Sequence, residues 1–168
     1  LLYRVYAHFH HSASGSDEIP YLIQRNISFE FNSKDVVILN DLEDITSILR
    51  SEEMAKKASE LSSLSETREN LLSIQRNFYH DSGLVADGRD MGTVVFPDAK
   101  LKIFLTASAE ARAERRYLEL QNRGQEVNMH ALIEDIKQRD LKDSTRTLSP
   151  LIPAEDSVII DSSEMSLD

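Results

Sequence analysis

The chain has 168 residues, of which 40% are apolar and 29% charged, with a formal net charge of −10 and no cysteine. That length supports one good hydrophobic core with a small accessory lobe, and no apolar run approaches the roughly 18 residues that span a bilayer. The lack of cysteine excludes a disulfide framework and a cysteine-based zinc site, which fits a reducing cytoplasm. The acidic balance argues against a binder of duplex nucleic acid, which needs a basic face to neutralise phosphates.

Leu2, Val5, Tyr6 and Phe9 fall at i, i+3, i+4 and i+7, so the chain opens inside an amphipathic helix. It starts without Met or a capping residue, no signal-peptide pattern is visible, and a fragment with its beginning missing is expected. Residues 10–17 form a polar, serine-rich loop. Residues 27–31 and 36–40 read as short strands separated by Asn32-Ser33-Lys34-Asp35, a hairpin pattern, and residues 42–46 add a third short strand. From Ser51 the pattern is helical, with Met54, Ala58 and Leu61 on one face. Ser63-Leu64-Ser65-Glu66 has capping-box spacing and predicts a further helix to about Tyr79.

From Gly83 the predicted order is strand, strand, helix, helix, strand. Residues 84–87, 101–106 and 158–161 are apolar runs of strand length. Ser108 can cap a helix that runs to about Arg123 and stops at Gly124. Asn128 can cap the next, whose apolar stripe is Met129, Leu132, Ile133 and Ile136. Continuous apolar strands alternating with helices predict an α/β fold with a parallel sheet covered on both faces.

Three features carry candidate chemistry. Ligands bind beyond the carboxyl ends of parallel strands, and residues 84–87 run there into Asp87-Gly88-Arg89-Asp90; the same Asp-Gly could equally mark a plain hairpin turn. Along the helix from Asn128, Arg139, Asp143 and Arg146 fall within about 60° of arc and nearly continue the inward face of Ile136. Buried charges need partners, which either a phosphate-bearing ligand or an internal salt bridge would supply. The helix containing Arg112, Arg115, Arg116 and Arg123 precedes Gly124 and suits a mobile lid that brings positive charge to phosphates; a solvated helix face has the same pattern. Arginine's planar fork matches phosphate oxygens, so an acidic chain with these arginines clustered suggests a small phosphorylated ligand. His8, His10 and His11 lie together at the end of the first helix and read as surface histidines rather than a metal site.

The segment GLVADGRDMGTVVFPDAKLKIFLTAS, with the later ERR, IKQRDLKDSTR and PLIPAEDSVIIDSS, resembles the bacterial cytidylate kinases. These nucleoside monophosphate kinases convert CMP and dCMP to their diphosphates with ATP and Mg2+. LYRV and SETRENLL match in order and spacing, so the resemblance covers the whole chain. It implies a P-loop kinase core with a parallel sheet, a helical lid, and a small α+β lobe for the nucleoside monophosphate with a short antiparallel sheet. In these terms residues 1–17 are a core helix, 18–82 the lobe, 83–110 core, 111–126 the lid and 127–168 core.

The resemblance also implies roles. Ser59, Arg68 and Asp90 occupy positions that read the cytosine base. Arg139 and Asp143 match residues that hold the pentose, with Asp143 on its hydroxyls. Arg4, Arg89 and Arg146 match arginines around the CMP phosphate, and Tyr3 lines that pocket. Arg115 lies where the lid reaches the transferring phosphoryl group. The expected partners are CMP, dCMP and ATP in a cytoplasmic monomer of pyrimidine metabolism, without nucleic acid or membrane.

One departure is large. No G-x-x-x-x-G-K-[ST] occurs in the chain, so nothing in it would cradle the donor phosphates. The Asp-Ser-Gly that usually precedes the tyrosine is absent, and about two strands and a final helix of the family fold are unaccounted for. The 168 residues alone are therefore expected to be inactive. Two other readings stay open: a nucleotide-binding regulatory module without phosphoryl transfer, and a P-loop kinase of another small metabolite. A sugar-acid kinase has no reason to carry the base-reading set Ser59, Arg68 and Asp90.

Overall fold

The computed structural model describes residues 1–10, 12–31, 36–122 and 124–166. The chain divides into two compact units, Leu1–Val85 and Ala86–Asp168.

In the first unit, helix α1 (Leu2–Phe9) forms as its periodicity predicts and buries Val5, Tyr6, Ala7 and Phe9. It packs against α2 (Ile19–Asn26), α4 (Glu52–Leu61) and α5 (Ser65–Arg76). Helix α2 was not expected, yet its signals are present: Ile19 and Ile23 at i, i+4 are buried, and Pro20 stands in the first turn, where its missing N–H costs nothing. A short 3₁₀ turn, Ser16–Glu18, leads into it from the expected polar loop.

Strands β1 (Ile27–Phe31) and β2 (Val36–Asn40) pair antiparallel from Ile27 opposite Asn40 to Phe31 opposite Val36, as the hairpin pattern predicts. The intervening turn at 32–35 lies outside the described residues. The third strand is shorter than expected: β3 (Glu43–Asp44) pairs with β2. Thr46 then turns into a one-turn helix, α3 (Thr46–Leu49). Thr46 Oγ1 accepts from the Ile38 N–H at 2.8 Å, and the Asp44 carboxylate accepts from the Thr46 N–H at 2.8 Å. Hydrogen bonds from the Thr46 hydroxyl and the Thr46 N–H hold the Asp44 carboxyl below its ordinary range.

Ser51 caps α4, its hydroxyl oxygen accepting from the Met54 N–H at 3.2 Å. The capping box expected at Ser63–Glu66 does not form. The N-cap of α5 is Leu64, whose hydrocarbon side chain can accept no bond, and the Ser63 hydroxyl donates to the Glu60 carbonyl at 2.6 Å and closes α4 instead. With so few residues between two helices, the orphan carbonyls of the first compete for the same hydroxyl. Helix α5 stops at Arg76, short of Tyr79.

Residues 84–87, at the boundary of the two units, are not a strand: they join no ladder among the described residues, and Val85 is fully exposed. An apolar run becomes a strand only where a neighbour pairs with its backbone. The chain instead enters a single π-helical turn at Met91–Val95, which the sequence reading missed. Strands β4 (Ile103–Thr106) and β5 (Val158–Asp161) pair in parallel, from Ile103 opposite Val158 to Thr106 opposite Asp161.

Among the described residues the expected cover on both faces is incomplete at these strands: Phe104 and Ile160 are half-buried, but Leu105 is 66% and Ile159 61% exposed. Helices α6 (Ala109–Asn122) and α7 (Met129–Thr145) pack chiefly along each other, so the strands' apolar faces are not overlaid by them. The caps behave as predicted. Ser108 Oγ accepts from the Ala111 N–H at 3.1 Å, and Asn128 Oδ1 from the Ala131 N–H at 3.1 Å. After α6 the chain turns at Gly124, whose φ of +74° suits a residue without Cβ. Arg123, expected to end that helix, lies outside the described residues. No described helix is long and apolar enough to cross a membrane.

Candidate functional site

Local chain geometry aims Asp90. Its carbonyl accepts from the N–H groups of Val94 at 2.9 Å and Val95 at 3.2 Å, which starts the π turn. The residue is 5% exposed. The preceding residue, Arg89, donates from Nε to the Asp143 carboxylate on α7. Asp143 is 4% exposed.

Arg146 approaches the same carboxylate from the other side, Nη1 standing 3.5 Å from Oδ1. It is not on the helix, as the periodicity suggested. It is the C-cap residue, with extended ψ of 143°, and its Nε donates to the Ser149 carbonyl at 2.6 Å. Ser149 itself has φ of +47°, so this bond stabilises a backbone conformation that non-glycine residues rarely adopt.

The result is a buried carboxylate between two guanidiniums that are 57 positions apart in the chain. The internal salt bridge left open by the sequence is therefore present. The Arg89 side chain remains 40% exposed while it holds Asp143. An accessible planar donor fork of this kind suits a phosphate. Arg139 is exposed on α7, and its charge, like that of Arg89, adds to the lowering of the Asp140 carboxyl.

On α6, Arg115 donates to the Ser162 carbonyl, to the Ser162 hydroxyl at 3.3 Å and to the Met165 carbonyl at 3.3 Å, which ties it to the turn after β5. Arg112 pairs in bidentate fashion with Asp140 of α7. That bond holds the Asp140 carboxyl below its usual range and raises the guanidinium further. Glu110 and Lys137 pair at 2.9 Å across the same two helices, the first lowered and the second raised by their mutual hydrogen bond. No sequence signal announced Asp140 as a partner, since nothing local links positions 112 and 140. A shallow groove lined by Tyr117, Gln121, Gly124, Gln125, Glu126 and Val127 shares no residue with the expected site.

In the first unit, Tyr3 and Arg68 come together, the Arg68 Cζ lying 5.6 Å from the Tyr3 ring centroid. This is a cation–π distance. Arg68 Nη1 also donates to the Ser62 carbonyl at 2.8 Å, next to the last turn of α4, which carries half-buried Ser59. Arg4 donates through Nη1 to the carbonyls of Leu49 at 2.7 Å and Ser51 at 3.5 Å, so part of its fork holds the corner between α3 and α4. Asn70, which the sequence reading passed over, donates to the Tyr6 hydroxyl and to the Ser16 carbonyl, each at 3.3 Å, and fixes α5 to α1.

Among the described residues, no group of three or more His, Cys, Asp or Glu side chains could hold a metal ion; His11 lies outside them.

Compared with known proteins, the family described as cytidylate kinase matches residues 1–168. A cytidylate kinase of Pseudomonas aeruginosa is 53% identical over 131 residues, covering 78% of this chain and 57% of its own length. One of Colwellia psychrerythraea is 47% identical over 162 residues, covering 94% and 72%. One of Aeromonas salmonicida is 43% identical over 172 aligned positions, covering 99% and 75%. The chain thus spans little more than half the length of the Pseudomonas relative that it matches.

Proposed function

The chain belongs to the cytidylate kinase family, and from that premise we propose that it serves the transfer of the γ-phosphoryl group of ATP to CMP or dCMP. The observation that carries this reading is the Arg89–Asp143–Arg146 cluster, whose buried carboxylate stands between two guanidiniums, one of them accessible, an arrangement that suits a phosphate beside a hydroxyl-bearing sugar.

In this reading an oxygen of the CMP phosphate forms the new bond to the γ-phosphorus as the bond to the bridging oxygen of ATP breaks, which releases ADP. The protein's share is positioning and charge neutralisation. Arg89 and Arg146 hold the CMP phosphate in bidentate fashion and offset the charge that accumulates as two phosphates approach. Asp143, kept in place by both, accepts from the pentose hydroxyls, with Arg139 beside it. Asp90, Ser59 and Arg68 read the cytosine edge, and Tyr3 and Arg4 line the acceptor pocket. Arg115 belongs to the lid at 111–126 and leaves its carbonyl partners to reach the transferring group. The lobe at 18–82 receives the monophosphate. Mg2+ would arrive with ATP, and no residue described above is assigned to it.

Calorimetric titration of the chain with CMP, dCMP, AMP and GMP tests the acceptor claim without turnover. The two cytidine nucleotides should bind, and AMP or GMP should bind at least about tenfold more weakly, the loss of one charged hydrogen bond. Turnover is read by ADP release in a polypeptide that places a G-x-x-x-x-G-K-[ST] loop ahead of Leu1. Equal affinity and equal rates with AMP refute the reading.

A further inference from the structure

The segment 87–92 has a glycine near each end, and each faces a side chain where a β-carbon would stand. A Cβ on Gly88 would lie 2.9 Å from Met91 Cε; one on Gly92 would lie 3.3 Å from Lys102 Cδ and 3.4 Å from its Cγ. Neither glycine has positive φ, so at both positions the missing side chain matters for space and not for backbone freedom. The stem of Lys102 therefore lies directly against the π turn at Gly92.

Lys102 is suited to act as a strut. Its side chain is 9% exposed, although lysine is rarely buried unless paired. Its ammonium donates to both oxygens of Asp156, at 2.9 and 2.8 Å, and that bond keeps the Asp156 carboxyl below its ordinary range. At the other end, the Lys102 carbonyl accepts from the Val158 N–H at 2.9 Å, at the start of the β4–β5 ladder. A four-carbon chain fixed at the backbone and at the ammonium cannot swing aside.

We propose that Lys102 is a positioning residue for the acceptor site: its stem, pinned by Asp156, supports the backbone at Gly92 and so sets the turn from which Arg89 and Asp90 project. The inference rests on the acceptor role proposed above for those two residues. The competing account is that Lys102 and Asp156 only tie the loop before β5 to β4, with no consequence at Arg89.

Four variants of the chain separate the two: Lys102→Ala, Lys102→Met, Gly92→Ala, and Gly92→Ala with Lys102→Ala. Each is measured for CMP affinity by calorimetry and for thermal midpoint. Lys102→Ala removes the strut and should weaken CMP about tenfold, on the order of one charged hydrogen bond lost as Arg89 shifts. Lys102→Met keeps the stem against Gly92 but loses the pin to Asp156, so it should recover only part of that loss while still lowering the midpoint. Gly92→Ala should weaken CMP by pushing on the stem. The double variant should bind better than the sum of the single losses, because the added methyl enters the vacated space.

A lowered midpoint with unchanged CMP affinity in Lys102→Ala, or strictly additive single losses, overturns the inference. If Lys102→Ala does not fold, Gly92→Ala against Lys102→Met decides it, and unchanged affinity in Gly92→Ala overturns it. If the unaltered chain binds no CMP, the acceptor reading fails on its own account. The strut is then read from the Arg89 Nε–H resonance, which reports its bond to Asp143. Gly92→Ala or Lys102→Ala should shift or broaden it and Lys102→Met should do so less, and a resonance unmoved by either of the first two overturns the proposal.

Discussion

Replacing Arg146 separates a binding role from a structural one, because the structure gives this side chain two different partners. Its side chain is 10% exposed, so its contacts are little screened by water. Nε donates to the Ser149 carbonyl at 2.6 Å, and Nη1 faces Asp143 at 3.5 Å. Arg146→Ala removes one good charged hydrogen bond, worth about 1.5–3 kcal/mol, and one long contact worth less. Asp143 keeps Arg89, so the loss stays well below the 3–5 kcal/mol that follows when a buried charge is left alone. The thermal midpoint should fall accordingly. If Arg146 also holds the CMP phosphate, CMP affinity falls by a further charged bond, about 10- to 150-fold.

Arg146→Lys keeps the positive charge and loses the fork. It should restore part of the CMP affinity and less of the Ser149 bond, since an ammonium has no second nitrogen to engage both partners. In a polypeptide that supplies the donor loop, both variants should also lower kcat, the alanine more than the lysine. Calorimetry with CMP and thermal melts on the same preparations decide the matter. A lowered midpoint together with unchanged CMP affinity and unchanged kcat would refute the phosphate assignment and leave Arg146 as an anchor for the 146–149 turn.

Three further outcomes are expected. Asp143→Asn should raise the apparent KM for CMP while leaving that for ATP unchanged, because its carboxylate is assigned to the pentose of the acceptor; a raised ATP value with an unchanged CMP value sinks the assignment. The Asp140 and Glu110 carboxyls are both held below their ordinary values by Arg112 and Lys137. Their contribution is therefore fully present above the unfolded values of 3.8 and 4.5 and is lost as pH falls through the lower folded values. Thermal melts from pH 5 to pH 2 should show an acid arm that Asp140→Asn flattens, and an unchanged arm in that variant refutes the pairing. Asn128→Ala should cost about 1 kcal/mol through loss of the α7 cap, seen as a lower midpoint with CMP affinity unchanged; no change in midpoint would show that the cap bond carries no net stability.

What was legible in the sequence was local or shared with the family. The periodicity of Leu2, Val5, Tyr6 and Phe9 states a helix face within eight residues, and Ser51, Ser108, Asn128 and Gly124 end helices through bonds or dihedrals spanning only a few positions. The motif around Asp87–Asp90 carried the family before any coordinate. Helix α2 was readable from Ile19, Pro20 and Ile23, and was overlooked beside the strand-like runs that follow. Other features depended on neighbours distant in the chain. Residues 84–87 have the composition of a strand, but a strand exists only through a partner's hydrogen bonds, and none pairs with them among the described residues. Ser63 has the spacing of a cap and spends its hydroxyl on the helix behind it. Arg115 reaches the carbonyls of the turn after β5, and Arg89 meets Asp143 across 54 positions. Sequence can state that such charges exist and that burial would demand partners. Which partner each one takes is decided by three-dimensional proximity, because an ion pair's energy depends on distance in space and on the water excluded around it.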